Sequence, residues 1–214
     1  MAALPNGTTY FVATAHGSTK TITAITNANP AVCTSTAHGF TDGDIVNITS
    51  GWGRISRRSF KVSGSLTNSF ELSGLDTSDT SIYPSGSSAG TAREITTFAQ
   101  VVKVMSPTTS GGDPKSSTYK FVEDDIEYSL NDGFSAMSLT MDIDDDVSTA
   151  GYTALQALTE SQADTTGKMR MKNGSYILFG CTVAMNEMPK IAEGQINRLG
   201  VVFNFTNKPV RYAS

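Results

Sequence analysis

The chain has 214 residues, of which 38% are hydrophobic and 17% charged, with 19 glycines and a formal net charge of −4. The many Ser, Thr, Asn and Gly residues favour short strands joined by turns over packed helices. No window approaches the roughly 18 apolar residues of a membrane-spanning helix, and residues 1–12 lack the pattern of a secretion signal. We therefore expect no membrane insertion by this chain.

The charges are unevenly distributed along the chain. Residues 113–164 carry twelve acids and two lysines, whereas residues 165–214 carry two acids and seven basic residues. Segregation of this kind indicates surfaces with assigned roles, which can be complementary to one another.

Residues 19–94 predict a small all-β module, which we name the insert. Short segments in which apolar and polar residues alternate, such as DIVNIT, RSFKVSG and SFELSG, recur about every ten residues and are separated by Gly, Asn, Ser and Pro. The Ser- and Gly-rich residues 81–95 are typical of a linker leading out of such a module.

The segment TAHGFTDGDIV, residues 36–46, holds one of the two histidines. A catalytic histidine needs a nucleophile or an orienting carboxylate, and a zinc site needs three or four ligands at workable spacing. With two His, two Cys and no HxxxH or CxxC spacing, the chain offers neither arrangement. We predict no metal site here, and a turn in which Gly39 and Gly43 flank Phe40 as a core anchor.

Cys33 and Cys181 lie far apart in sequence, among apolar or hydroxyl-bearing neighbours. One disulfide is arithmetically possible. Two separate buried thiols, in a chain made in a reducing cytosol, fit this context better.

Four basic residues cluster in GRISRRSFK: Arg54, Arg57, Arg58 and Lys61. Such a cluster could contact a phosphate polymer. In a chain with a pI of about 5.1, a turn of this kind is more often a solvated loop or a contact with another protein.

Longer elements are predicted after the insert. Residues 95–105 predict a strand and residues 106–118 a loop able to extend or flex. Residues 119–130 and 134–144 then predict a hairpin pair separated by Asn131-Asp132-Gly133.

The last third of the chain predicts the one convincing helix and two further β elements. The helix lies within residues 148–164, where a narrow apolar stripe follows a capping hydroxyl residue, Ser148 or Thr149. Asn173-Gly174 predicts a type I′ turn and a hairpin over residues 169–185. A final strand follows, with alternate apolar residues on one face.

Strand alternation predicts an acidic face on the 119–144 hairpin, because carboxylates at every second position share one side of a strand. These carboxylates are Glu123, Asp125, Glu127, Asp142 and Asp144. A negative sheet surface, either functional or merely solvated, describes this pattern better than a carboxylate pair in a hydrolase cleft. We therefore predict no catalytic residue.

Residues 142–153 mimic the start of a calcium loop, with acids at the first, third and fifth positions. The sixth position is Val147, where an EF-hand turn needs Gly, and the twelfth is Thr153, where a bidentate Glu is required. We predict no specific calcium site.

The order of parts resembles the major tail-tube proteins of long-tailed bacteriophages: an N-terminal strand, the loop SPTTSGGDPKSST, an acidic hairpin, one helix, the hairpin MRMKNGSYILFGCTV and a last strand closing on NKPVRY. The insert, with AHGFTDGDIVNITSG and NSFELSG, resembles a small β module of many phage virion proteins. The resemblance implies a mainly β fold. The implied fold has a β-sandwich or partial-barrel core, formed by residues 1–18 and 95–214, with one flanking helix. The inserted all-β domain, residues 19–94, would lie on the outer surface.

The resemblance also implies a function. Subunits of that family form hexameric rings that stack into a hollow tube through which DNA passes, so the chain would be a structural virion protein and not an enzyme. Its partners would be further copies of itself, tape-measure, tail-terminator and tail-tip proteins, and genomic DNA that transits without specific binding. It would need no cofactor and would be made and assembled in the bacterial host cytoplasm.

Under this interpretation the five carboxylates named above would line the lumen and repel DNA. Contacts between rings or subunits would involve residues 106–118 and the termini, with the candidates Asp113, Lys115, Arg198, Lys208 and Arg211. The alternative is a two-domain β binding module that recognises a host-surface glycan or protein through the Ser- and Thr-rich insert.

Overall fold

The structure is a computed structural model that describes residues 7–213. As predicted, the chain is mainly β, and one helix, α1 (Ala150–Ser161), is present in this range. The strands in chain order are β1 (Thr9–Ile22), β2 (Ala24–Ile25), β3 (Ala31–Thr34), β4 (Ile45–Ser50), β5 (Arg58–Leu66), β6 (Ser69–Leu72), β7 (Gly90–Val101), β8 (Val104–Ser110), β9 (Pro114–Tyr119), β10 (Tyr128–Phe134), β11 (Ser138–Asp144), β12 (Thr165–Arg170), β13 (Tyr176–Met185), β14 (Arg198–Phe205) and β15 (Val210–Tyr212).

Most strands belong to one antiparallel sheet that curls into a partial barrel. Its strand order is β2-β3-β6-β5-β4-β7-β1-β12-β13-β14-β11-β8, and β15 pairs with β13 beside this path. The remaining strands, β9 and β10, form a separate two-stranded sheet. We refer to the large sheet with α1 as the body.

Two hydrophobic cores lie along the body. The first is built mainly by the insert, with Phe60 and Phe70 fully buried, and it also contains Val210 of β15. The second is built by β1, β11, β13 and β14, with Leu155 of α1. The predicted limits of the insert fall inside β1 and β7, which pair with each other along both regions, so an independent insert domain stays a prediction.

Helix α1 confirms the predicted helix and one of the two proposed caps. The hydroxyl of Thr149 accepts a hydrogen bond from the N–H of Tyr152 at 3.2 Å. Leu155 is fully buried in the second core. Gly151 lies so close to the carbonyl of Gln100 that a Cβ would overlap it, so the helix can approach β7 only with glycine at this position.

The hairpin predicted around Asn173-Gly174 is present as β12 and β13, but its turn is not type I′. Gly174 has a φ of 88°, whereas Asn173 is not among the residues with positive φ. The Asn173 side-chain oxygen instead accepts hydrogen bonds from the N–H of Ser175 at 3.1 Å and from its hydroxyl at 2.6 Å. The asparagine stabilises this turn through its side chain rather than through a left-handed backbone.

The predictions for residues 106–118 and 119–144 are wrong. The expected loop is mostly strand, in β8 and β9, and the expected turn at Asn131-Asp132-Gly133 lies inside β10. β8 pairs with β11 in the body and β9 pairs with β10, so residues 104–144 form one long hairpin that turns at residues 120–127. Glycines with positive φ occur where the two ladders meet and give register shifts rather than chain reversal. We name its outer part, residues 113–134, the arm.

Candidate interaction surfaces

The arm exposes apolar and aromatic side chains. Phe121, Val122 and Ile126 near its tip are 54%, 106% and 65% exposed. Tyr119 stacks on Tyr128 with 5.5 Å between ring centroids, which orders the strands just below the tip. Exposed apolar side chains gathered in one region are a common feature of interaction sites on protein surfaces.

Three of the predicted acidic candidates, Glu123, Asp125 and Glu127, lie in the loop at the tip of the arm. The prediction that they share a strand face is wrong, because the chain turns there instead of continuing as a strand. Within residues 7–213, none of the three is in salt-bridge contact with a basic side chain. The tip therefore carries concentrated negative charge next to apolar side chains.

The other two acidic candidates lie on β11 in the body, and there the predicted alternation is confirmed by burial of the intervening apolar residues. Asp142 accepts a hydrogen bond from Lys190 Nζ at 2.7 Å and lies 3.8 Å from Arg198 Nη1. Asp144 accepts a hydrogen bond from Lys103 Nζ at 2.8 Å. The five predicted carboxylates thus fall into two groups: one lies in the loop at the arm tip with no cation of residues 7–213 in salt-bridge contact, and the other lies on β11 and is paired with cations.

Asp146 extends the β11 charge network towards α1. Hydrogen bonds from Ser148, and then from Lys103, hold the pKa of Asp146 at about 2. Hydrogen bonds to Asp144 and Asp146 raise the pKa of Lys103. The acids that mimic a calcium loop thus engage Lys and Ser side chains, and residues 7–213 contain no group of three or more His, Cys, Asp or Glu suited to a metal ion.

The basic cluster of the insert divides into paired and unpaired members. Arg57 donates to Asp164 through Nε at 2.7 Å and also through Nη2, which ties the insert to the segment before β12. Arg58 donates to the carbonyl of Arg54 at 3.1 Å, and its guanidinium lies 5.0 Å from the ring centroid of Phe60. Burial lowers the pKa of Arg58.

Three of the five predicted contact residues lie near the base of the arm. Asp113 is hydrogen-bonded to Ser135 there, Lys115 is exposed on β9, and Lys208 Nζ is 3.8 Å from the ring centroid of Phe134. The other two lie on the body and are not brought together. These are Arg198, which binds Gln195 and Asp142, and Arg211, which is exposed on β15.

A cavity of about 290 Å³ lies beside the base of the arm. We name it the root pocket, and it is lined by Arg54, Arg58, Tyr83, Gly133, Phe134, Asn207 and Lys208. The Asn207 side chain donates to the carbonyls of Gly53 at 2.9 Å and Ser56 at 3.0 Å, which holds the turn after β14 against the arginine loop. The convergence of these basic residues is not predictable from the sequence, since no local signal links positions 54 and 208.

A family model described as "Phage tail tube protein, TTP" matches residues 50–214 of the chain. The chain belongs to this family. No curated protein matches the chain. A solved structure titled "Cryo-EM structure of the anti-feeding prophage (AFP) baseplate, 6-fold symmetrised" is similar over 82% of this chain and 95% of its own, with 7% sequence identity and a TM-score of 0.37.

As a tail tube protein, the chain is a structural component of the phage tail. Membership of the family implies self-assembly into a tube and association with other tail components. No helix among residues 7–213 is both long and apolar enough to cross a bilayer.

The histidine turn of this tail tube protein is structural, as predicted. Nδ1 of the buried His38 accepts the N–H of Phe40 at 3.0 Å, and Nε2 lies 2.7 Å from the carbonyl oxygen of Leu66. Gly39 and Gly43 have φ values of 76° and 101°, and Phe40 is buried.

Cys33 and Cys181 are buried free thiols, which confirms the prediction of two separate thiols. Cys33 lies in the first core and Cys181 in the second. Burial raises the pKa of each to about 12, so neither is a reactive thiolate near neutral pH.

Proposed function

We propose that the chain is the subunit of stacked hexameric rings that form the hollow tail tube and conduct genomic DNA during ejection. The arm carries this proposal, because among residues 7–213 β9 and β10 pair only with each other, and they leave apolar side chains exposed. An isolated two-stranded hairpin is marginally stable in water. A neighbouring subunit that covers the arm accounts for its retained apolar character.

We assign Asp142 and Asp144 to the lumen and the arm-tip acids to contacts between subunits. DNA carries about one negative charge per 1.7 Å of its axis, so a basic lumen would hold it. The β11 carboxylates neutralise Lys103, Lys190 and Arg198, which lie beside them. A lumen with little net charge of either sign lets DNA slide.

The remaining parts follow from the same proposal. The insert, residues 19–94, faces outward as a decoration of the tube. Tape-measure, tail-terminator and tail-tip proteins meet the finished tube or its ends, and assembly takes place in the host cytoplasm.

The test of self-assembly is electron microscopy of negatively stained protein across a concentration series, with light scattering to measure mass. Rings with six subunits or hollow tubes are the expected result. Strictly monomeric particles at every concentration contradict self-assembly by this chain.

The lumen assignment is tested with Asp142→Asn, which leaves Lys190 and Arg198 without their carboxylate. Tubes of this variant are expected to retain short duplex DNA at low salt and to release it as salt rises, because counterion release drives such binding. Asp145→Asn is the matched control, since Asp145 is exposed and makes no side-chain ion pair within residues 7–213. Equal DNA retention by both variants would contradict the assignment of Asp142 to the lumen.

A further inference from the structure

The root pocket holds positive charge that the described chain does not neutralise. Arg54, Arg58 and Lys208 line the pocket, and no carboxylate of residues 7–213 is in salt-bridge contact with any of them. Hydrogen bonds from the hydroxyl and N–H of Ser81, and to a smaller extent the charge of Arg54, lower the pKa of Asp79, but Asp79 is not in salt-bridge contact with Arg54. The cations of the pocket therefore remain available to an acidic ligand.

Arg58 adds a second observation. Its Nε is buried and, within residues 7–213, has no hydrogen-bond partner. Buried polar groups in native proteins are rarely left in this state. The hydrogen bond to Arg54 and the contact with Phe60 fix the guanidinium, so the pocket presents a positioned cation rather than a mobile one. A guanidinium held in this way attracts a carboxylate and can donate a charge-assisted hydrogen bond to it.

We propose that the root pocket of one copy receives the acidic arm tip of a second copy. This inference rests on the proposed function, since it names the partner surface that the arm meets in the tube. The tip supplies the uncompensated carboxylates, Glu123, Asp125 and Glu127, and the pocket supplies the uncompensated cations. A cavity of about 290 Å³ admits one or two carboxylate side chains.

The apolar parts of the two surfaces also match. Phe134 and Tyr83 line the pocket, and Ile82, next to Tyr83, is 38% exposed. Phe121 and Val122 flank the acids of the tip and are exposed. Burial of the exposed Ile82 and Phe134 against the apolar side chains of the tip supplies the apolar centre of an interface, and the charge pairs set its register.

The arm cannot fill the pocket of its own subunit. The six residues of β9, each rising about 3.3 Å, separate the tip from the root by roughly 20 Å. When the tip of each copy binds one neighbour and its pocket binds another, the contact is heterologous, and such contacts repeat into an open stack unless their rotation closes a ring. A DNA backbone would instead call for basic residues spread along a surface, whereas these converge on one cavity.

Charge reversal with rescue tests the proposal. The tip variant is Glu123→Lys with Asp125→Lys and Glu127→Lys, and the pocket variant is Arg54→Glu with Lys208→Glu. Arg58 stays unchanged because it is half-buried, and Lys172→Glu, at an exposed position away from the pocket, is the control. We expect each reversal to raise the protein concentration needed for stacking by about tenfold or more. A mixture of the two variants should return this concentration to within about threefold of the wild-type value. In the mixture the basic tip of one variant meets the acidic pocket of the other, and the unchanged tip and pocket also meet.

A pocket variant that stacks like the wild type, or a mixture that does not recover, overturns the proposal. The proposal is also overturned if the pocket variant stacks normally but no longer binds short duplex DNA that the wild type binds, because the pocket is then a DNA-binding site. If the wild type forms no rings or tubes, the proposed function fails independently.

The contact between the arm tip and the root pocket is then tested by zero-length carbodiimide cross-linking in a mixture of isotopically labelled and unlabelled chains. Cross-links between Lys208 of one chain and a tip acid of the other support the proposal. Their absence, alongside other cross-links between chains or with no association of chains at all, overturns it.

Discussion

The body and the arm use similar strands but differ in what covers them. Along β13, alternate residues face the second core, as Ile177, Phe179 and Cys181 do. Along β9 and β10 every residue is exposed, including Leu130 and Phe134. The body buries its apolar side chains within one chain, whereas the arm keeps apolar side chains that one chain does not bury.

This difference separates the origins of stability in the two regions. Burial of apolar area and close packing stabilise the body before any assembly takes place. Within its two strands the arm gains cross-strand pairs such as Tyr119 with Tyr128, each of which contributes modestly. The body should therefore control the stability of the monomer, while the arm should control association.

The largest expected effect is on the second core. Phe203 is 2% exposed and meets Phe179 edge to face with 6.1 Å between ring centroids. Phe203→Ala should reduce the free energy of unfolding by about 3–5 kcal/mol, because it removes apolar contacts and leaves a cavity. Urea unfolding of the monomer measures this loss. Phe203→Leu, which leaves a smaller void, should lose clearly less, and equal losses would contradict the packing argument.

A smaller effect is expected at the start of α1, which packs on β13 and β7. Thr149→Ala removes the acceptor of the Tyr152 N–H and should cost about 1 kcal/mol of stability. Thr149→Ser keeps a hydroxyl that can accept the same hydrogen bond and serves as the control. Thermal unfolding of both variants checks the difference, and an unaffected Thr149→Ala would show that the cap does not contribute.

Features specified by local sequence were predictable in the body. The capped apolar stripe of α1 and the Asn173-Gly174 turn region each carry their signal within a few residues. The alternation around Phe203 likewise predicts its buried face, because the pattern and the core agree. The type of the Asn173 turn was not predictable, because an asparagine can contribute either its backbone conformation or its side chain.

The arm was mispredicted because its local signals are ambiguous. Gly-rich and Asn-Asp-Gly segments favour turns, but here they lie where two ladders join along one hairpin. Residues 120–127 alternate like a strand and yet form the tip, since pairing of β9 with β10 decides where the chain reverses. The root pocket was beyond sequence reasoning for a similar reason: tertiary contacts alone bring Arg54, Gly133 and Lys208 together.

The smallest expected effect on the monomer is at the arm tip, and it tests the comparison most directly. Phe121→Ala should change the free energy of unfolding by no more than about 0.5 kcal/mol, because the side chain is largely exposed. The same variant should impair tube formation, since it removes apolar surface that association buries. Leu66→Ala in the insert is the matched control, because Leu66 is 69% exposed and does not belong to the arm. Leu66→Ala should leave both the free energy of unfolding of the monomer and tube formation unchanged. A marked loss of monomer stability in Phe121→Ala would mean that the arm packs onto its own body in solution, and the division between a self-sufficient body and a partner-dependent arm would fail.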